Sequence, residues 1–154
     1  VSGYRVYLYK GKKLVNRADT TKLTYTFKKL SKGTEYKIVV KAYKTIDGKK
    51  IFSLVSKELQ TATKLSAPTS VKVKAGNKKA TVSWTKVKSA NSYTVYYSTN
   101  KNSGFKKLTV IKNSADIKKL SSGKTYYFKV VANKKAGKAT VASDCSKLVS
   151  AKIK

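Results

Sequence analysis

The chain predicts an all-β fold, built as antiparallel β-sandwiches with two of them in tandem. Three observations carry that expectation. Apolar and polar residues alternate with a period of two, as in Tyr4, Val6 and Leu8 or Tyr93, Val95 and Tyr97, which marks half-buried strands. Turn signals such as Lys10-Gly11, Asp47-Gly48 and Ala136-Gly137 punctuate these runs, at roughly the 8–12-residue spacing of a sandwich and with no helical period between them. The third observation is a repeat. Leu120, Gly123, Tyr126, Phe128, Val130 and Ala132 restate Leu30, Gly33, Tyr36, Ile38, Val40 and Ala42 ninety residues later. A long pattern returning at one offset makes the chain a repeat array.

The elements follow in order. Residues 1–9 alternate, with Tyr4, Val6 and Leu8 on one face and Arg5, Tyr7 and Tyr9 on the other. Lys10-Gly11 turns the chain, Lys13, Leu14 and Val15 begin a short return strand, and residues 16–22 read as polar loop. Thr24, Tyr25, Thr26 and Phe27 alternate again and lead to the first central strand. Asp47-Gly48 suits a tight hairpin, whose central residues need positive φ. A strand over 56–63 closes the first repeat, and 64–67 reads as a linker.

Pro68, the only proline, stands at a strand entrance, where its missing N–H breaks no ladder. Val71 and Val73 begin the second repeat, and Ala80, Val82 and Trp84 follow with Thr81 and Ser83 outward. Tyr93, Val95 and Tyr97 match Tyr4, Val6 and Leu8. After a polar turn at 100–104 come Phe105 and Leu108, then Ile117, the central strand, and a last strand through Val149, Ala151 and Ile153. The second repeat thus holds seven short strands, enough for a complete sandwich.

At this point the second repeat resembles a fibronectin type III domain, in the form common in Gram-positive bacterial surface and secreted proteins. The matching residues are Pro68-x-x-Val71-x-Val73, Val82-x-Trp84, Tyr93-x-Val95-Tyr96, Leu120-x-x-Gly123-x-x-Tyr126 and Val130-x-Ala132. That family usually places proline two residues after the leucine; Lys32 and Ser122 stand there instead. The resemblance implies two antiparallel Ig-like (fibronectin type III) sandwiches in tandem, the first lacking its first two strands. Residues 1–63 would be a partial domain, strands C to G, and 68–154 a complete one. It also implies that Trp84 plugs the core and that Tyr126 forms a tyrosine corner, its hydroxyl bonding to nearby backbone.

Composition removes several functions. With no His, a serine would need a lysine or carboxylate base, and the six acids (Asp19, Glu35, Asp47, Glu58, Asp116, Asp144) are scattered with no pair spaced for acid–base work. No enzyme and no cofactor are expected. Cys145 is the single cysteine, so an internal disulfide or a Cys/His zinc site is excluded. It aligns with Val55, and the expectation is that it packs as a small hydrophobe. No aliphatic run approaches the roughly 20 residues of a membrane helix.

The charge is extreme, 36 Lys+Arg against 6 Asp+Glu for a net +30, yet only Arg5 and Arg17 are arginines. A nucleic-acid reader gathers its charge on one face and favours Arg. Here lysines alternate with core residues in nearly every strand, which spreads them round the surface and guards strand edges. A finer candidate is the outward face of the central sheet, with Arg5, Tyr7, Tyr9, Lys37 and Lys41 in the first repeat and Tyr96, Tyr127 and Lys129 in the second. Tyrosines interleaved with cations suit a sugar, an anionic polymer or a protein partner; equally, they stabilise a sheet as cross-strand pairs.

The expected role is a non-catalytic spacer or adhesion pair within a larger extracellular bacterial chain. The alternatives are a binding module for cell-wall polymer, glycan or host ligand, and a non-specific nucleic-acid binder. Aligning Tyr4 with Tyr93 leaves nothing in the first repeat to match 68–89, Trp84 included. The first repeat is therefore expected to be incomplete, with strands supplied from upstream sequence or another chain.

Overall fold

Most strands form where the period of two predicts them. The computed structural model describes residues 1–154, with thirteen strands and no helix. The chain divides into two compact units, the main boundary falling between Thr63 and Lys64.

The first unit is one antiparallel sheet. β1 (Gly3–Lys10), β2 (Lys13–Thr20), β3 (Glu35–Ile46) and β4 (Lys49–Phe52) run in the order β2-β1-β3-β4, and β5 (Leu59–Ala62) also pairs with β3. Asp47 and Gly48 take φ of 48° and 73°, the positive pair expected of the tight turn between β3 and β4. β4 pairs with Tyr43–Ile46 at one end of β3 and β5 with Glu35–Ile38 at the other. Between them two serines substitute for ladder acceptors. The Ala42 amide donates to Ser53 Oγ at 3.1 Å and the Val40 amide to Ser56 Oγ at 3.0 Å.

The second unit has two sheets. β6 (Lys72–Gly76), β7 (Lys79–Ser83) and β10 (Ser114–Lys118) form one, in the order β10-β7-β6. β8 (Ser92–Ser98), β9 (Lys106–Val110), β11 (Thr125–Ala136) and β12 (Ala139–Ala142) form the other, in the order β12-β11-β8-β9, with β13 (Val149–Lys152) also on β11. Between them lies the core of Ala80, Val82, Trp84, Val95, Phe128 and Val130, all buried. The ring of Trp84 meets Tyr93 edge-on at 5.2 Å. The corner expected of Tyr126 is present, the Ser121 amide donating to its hydroxyl at 3.2 Å.

The five-stranded sheet of the second unit repeats that of the first, strand for strand and in the same order. The serine device recurs as well, the Ala132 and Val130 amides donating to Ser143 Oγ and Ser146 Oγ at 2.9 Å each. The all-β antiparallel expectation holds, and the first unit lacks the second sheet altogether.

Five local expectations need correction. The return strand does not stop at Val15: β2 pairs with β1 as far as Thr20, because Asp19 finds Arg5 directly opposite. Residues 24–27 are in no sheet. Their counterpart β10 pairs with β7, and the first unit has no such strand to supply hydrogen bonds, so alternation alone does not make a strand there. The last strand starts at Leu59 rather than residue 56, because Ser56 spends its hydroxyl on β3. Leu65, within the expected linker, is buried in the core of the second unit. Cys145 is exposed, as is Val55, since each lies between the two bridging serines of the bend rather than in a strand.

Candidate functional site

Residues two apart on a strand share a face, so Gly3, Arg5, Tyr7 and Tyr9 leave β1 on the side opposite Val6 and Leu8. On β3 their partners are Tyr43, Lys41, Val39 and Lys37 respectively. The five candidates of the first repeat, Arg5, Tyr7, Tyr9, Lys37 and Lys41, therefore come together on one face. The Tyr7 and Tyr9 rings lie 6.5 Å apart and nearly parallel. Lys37 Nζ pairs with Glu58 at 3.0 Å, and Gln60 Nε2 donates to the same carboxylate at 2.9 Å. The Gln60 hydrogen bond and then Lys37 hold that carboxyl below its usual range.

Around Arg5 the sheet builds a closed cluster. Its guanidinium holds Asp19 with Nε and Nη2 at 2.5 and 2.8 Å and lies 4.7 Å over the Phe52 ring. Lys50 also pairs with Asp19, and its Nζ sits 4.4 Å from the centre of the Tyr43 ring. Tyr43 and Phe52 in turn meet edge to face at 5.7 Å. Gly3 makes room for this: a Cβ there would lie 2.6 Å from Tyr43 Oη. The hydrogen bonds from Arg5 and Lys50 hold the Asp19 carboxyl far below the usual range and raise both cations. One carboxylate, two cations and two rings thus tie four strands together, both cations sharing the Asp19 carboxylate and lying over a ring.

The matching face of the second unit has the opposite character. Tyr96 stands between Lys129 on β11 and Lys107 on β9. Lys107 Nζ lies 5.6 Å and Lys129 Nζ 5.8 Å from its ring centre, and Lys129 is also 4.2 Å over Phe105. Tyr127 follows on the same face, opposite Ser98 and Ser150. Neither lysine forms an ion pair. The register thus gathers Tyr96, Tyr127 and Lys129 into a patch of cations laid over aromatic rings with no acid to neutralise them.

Sequence reasoning overlooked Asp19, Tyr43, Lys50 and Phe52 in the first face and Phe105 and Lys107 in the second. Parity alone pointed to Tyr43, two residues beyond Lys41 on the same strand. Asp19 required the full hairpin register, and Lys50 reaches it from a strand that does not neighbour β2.

The inner face of the first unit forms an apolar groove of ≈ 330 Å³, lined by Tyr4, Val6, Tyr25, Phe27, Ile38 and Val40 among others. No acid lines it. The groove and the outward faces present apolar, aromatic and cationic contact surface.

The fibronectin type III domain profile matches residues 66–145. Among solved structures, the two-domain fibronectin type III segment of chicken tenascin aligns with a TM-score of 0.58 at 24% identity, over 97% of this chain and 83% of that one. The FN1–FN3 domains of chicken CNTN1 align with a TM-score of 0.53 at 24% identity, over 99% of this chain but 56% of that one. The fn3 domain of human contactin 1 gives 0.52 at 24% identity, over 61% of this chain and 83% of that one. At such identities the likeness concerns the fold. No curated protein matches the chain. The profile spans more than half of the residues, and on it the chain belongs to the fibronectin type III family.

Proposed function

We propose that this chain is a non-catalytic spacer or adhesion segment of a larger extracellular protein, of the kind found on bacterial surfaces, with residues 1–63 as a partial domain and 68–154 as a complete one. Domains of this family commonly serve structural and adhesive roles, and the chicken tenascin and CNTN1 structures are themselves multi-domain segments. One observation carries the reading. The groups with shifted ionisation owe it to hydrogen bonds that hold the sheet together: cross-strand ones at Arg5, Asp19 and Lys50, the corner at Tyr126, and at Glu58 the local bond from Gln60 followed by the cross-strand one from Lys37. None of them lines the apolar groove. A spacer needs stable sheets and a soluble surface, and the distributed lysines supply the second.

A second reading has its own observation. The unpaired Lys107 and Lys129 over Tyr96 and Phe105, with Tyr127 beside them, suit an anionic polymer or an acidic glycan. Titrating heparin, a teichoic acid and duplex DNA against the chain at rising salt separates the readings. The spacer predicts no binding at physiological salt. The patch predicts binding that survives there and is lost in Lys107→Ala/Lys129→Ala. Non-specific attraction predicts a steep loss with salt, shared by all three polymers; on duplex DNA the log–log slope becomes shallower by about 0.9 per phosphate contact removed.

A further inference from the structure

A cationic concavity lies in the second unit where the ends of four strands converge. Tyr97 and Ser98 close β8, Lys106 opens β9, Lys118 ends β10 and Tyr126 stands near the start of β11. With Lys119 they line a cavity of ≈ 340 Å³. No acid lines it, and none of its three lysines forms an ion pair. We propose that this cavity binds a phosphate monoester of a small soluble molecule, the three ammonium groups taking the phosphoryl oxygens and the two tyrosines walling the organic part.

The charge here is gathered rather than spread. The cavity beside Pro68 and the one beside Ile111 hold a single lysine each. Three like charges round one concavity repel one another and focus a field that draws in an anion. The first repeat shows which part is special to this unit. Lys28 and Lys29 precede Leu30 as Lys118 and Lys119 precede Leu120, and both second lysines take a left-handed backbone, with φ of 57° and 58°. That pair belongs to the repeat. Tyr97 and Lys106 face each other across β8 and β9, whereas Leu8 and Asn16 face each other at the matching places in the first unit. The third cation and its ring are therefore found in the second unit alone.

Residue type selects the ligand. A planar carboxylate is best met by the fork of an arginine, and none lines this cavity. Lysine offers a compact charge with rotatable donors, suited to a tetrahedral oxyanion. Three cations favour a dianion: a phosphate monoester carries roughly −1.5 to −2 at pH 7, a diester only a single charge. The volume lies at the low end of the roughly 300–1,000 Å³ of small-molecule sites, which limits the organic part to a few atoms. Two walls are fixed in advance. The Asn100 amide donates to Ser98 Oγ at 2.9 Å and that hydroxyl donates to the Ser103 carbonyl at 2.7 Å, pinning the turn over residues 98–104. Tyr126 is held by the Ser121 amide. That amide first, and then the charges of Lys106 and Lys124, lower the pKa of the Tyr126 hydroxyl, so the field of Lys106 reaches the opposite wall. Such a pocket is compatible with either role given above and depends on neither.

The test is an amide NMR titration of the whole chain with glycerol phosphate, a monoester, and with dimethyl phosphate, a diester, at constant physiological ionic strength. The amides of Val82, Val95 and Val130 report in every variant that the second unit is folded. The expected result is saturable shifts confined to residues 97–106 and 118–126, with the diester at least about tenfold weaker. Lys106→Ala/Lys118→Ala/Lys119→Ala should weaken glycerol phosphate by at least about tenfold. Lys72→Ala/Lys74→Ala/Lys88→Ala removes as much charge from elsewhere on the unit and should leave the affinity within about twofold. The proposal is overturned by shifts that never saturate or that spread over lysines all round the chain. It is equally overturned by a diester that binds as tightly as the monoester, or by equal weakening in the two triple variants.

Discussion

Val40 and Val130 occupy the same place in two copies of one sheet, yet Val130 is 0% exposed and Val40 remains half-exposed. The same contrast separates Val6 from Val95 and Ala42 from Ala132. Even the bridging serines differ, buried at Ser143 and Ser146 but exposed at Ser53 and Ser56. Strand order, register and serine bridges are common to both units, so local sequence suffices to form the sheet. What the first unit lacks is cover. The comparison teaches that sheet topology in this fold is encoded within the five-stranded half, which already buries Leu8 and Tyr36, whereas Val6, Ile38 and Val40 reach the burial of their counterparts only under a second sheet.

The outward faces differ too, in a compensating direction. The first unit joins β1, β2, β3 and β4 through Arg5, Asp19, Lys50, Tyr43 and Phe52. Thr94, Thr109, Thr140, Asn133 and Ala142 hold the matching places in the second unit by the repeat alignment, with Asn133 Nδ2 donating to Thr94 Oγ1 at 2.9 Å. At these five places the sheet with a full core behind it carries small residues, where the open sheet carries an ion–aromatic clasp.

Substitutions that exploit this contrast should fall in a clear order. Trp84→Ala removes the plug between the sheets of the second unit and should destabilise it by about 3–5 kcal/mol. Denaturant unfolding followed by far-UV circular dichroism should then lose or shift the second-unit transition, with exchange in β1 and β3 unchanged. Val130→Ala leaves a cavity in a sealed core and should cost about 2 kcal/mol, whereas Val40→Ala at the open face should cost less than about half of that. Equal values for the pair would break the comparison. Tyr126→Phe deletes the acceptor for the Ser121 amide and should cost about 1 kcal/mol in the second unit alone.

The smallest effect belongs to the clasp, where pH gives the sharper readout. Asp19 has a folded pKa depressed below its unfolded value. Its contribution is therefore complete above the ordinary carboxylate pKa of about 3.9 and drains away as pH falls toward the lower folded value. Asp19→Asn should weaken the first unit at neutral pH and flatten that acid loss, leaving the second unit untouched. Following the Tyr43 and Phe52 ring resonances by NMR between neutral and acid pH checks it.

Much of this was legible in the residues because period two, turn chemistry and the repeat are local or self-referential signals. Trp84, the corner at Tyr126 and the Asp47-Gly48 turn follow from them directly. The failures share one physical cause, dependence on a partner strand. Thr24 to Phe27 alternates like a strand, but a strand exists only when a neighbour pairs with it. Asn16 to Thr20 reads as polar loop, but register places Asp19 against Arg5 and turns polarity into pairing. Cys145 looks like a core residue until the Ser143 and Ser146 hydroxyls are seen to bend the chain outward. The candidate faces were half legible: alternation placed Arg5, Tyr7, Tyr9, Lys37 and Lys41 together, and Tyr96 with Tyr127 and Lys129. Whether their cations are neutralised depended on Asp19, Glu58 and their register, which alternation does not reveal.

The measurement that bears most directly on the account is native-state hydrogen exchange of the intact chain, comparing the Val40 amide with the Val130 amide. Both donate to a serine hydroxyl, at 3.0 and 2.9 Å, so the lengths of their hydrogen bonds are matched while the burial around them differs. The account predicts that Val130 exchanges only through global unfolding of its unit, while Val40 exchanges faster by orders of magnitude, through opening that barely depends on denaturant. Equal protection at the two amides would contradict it.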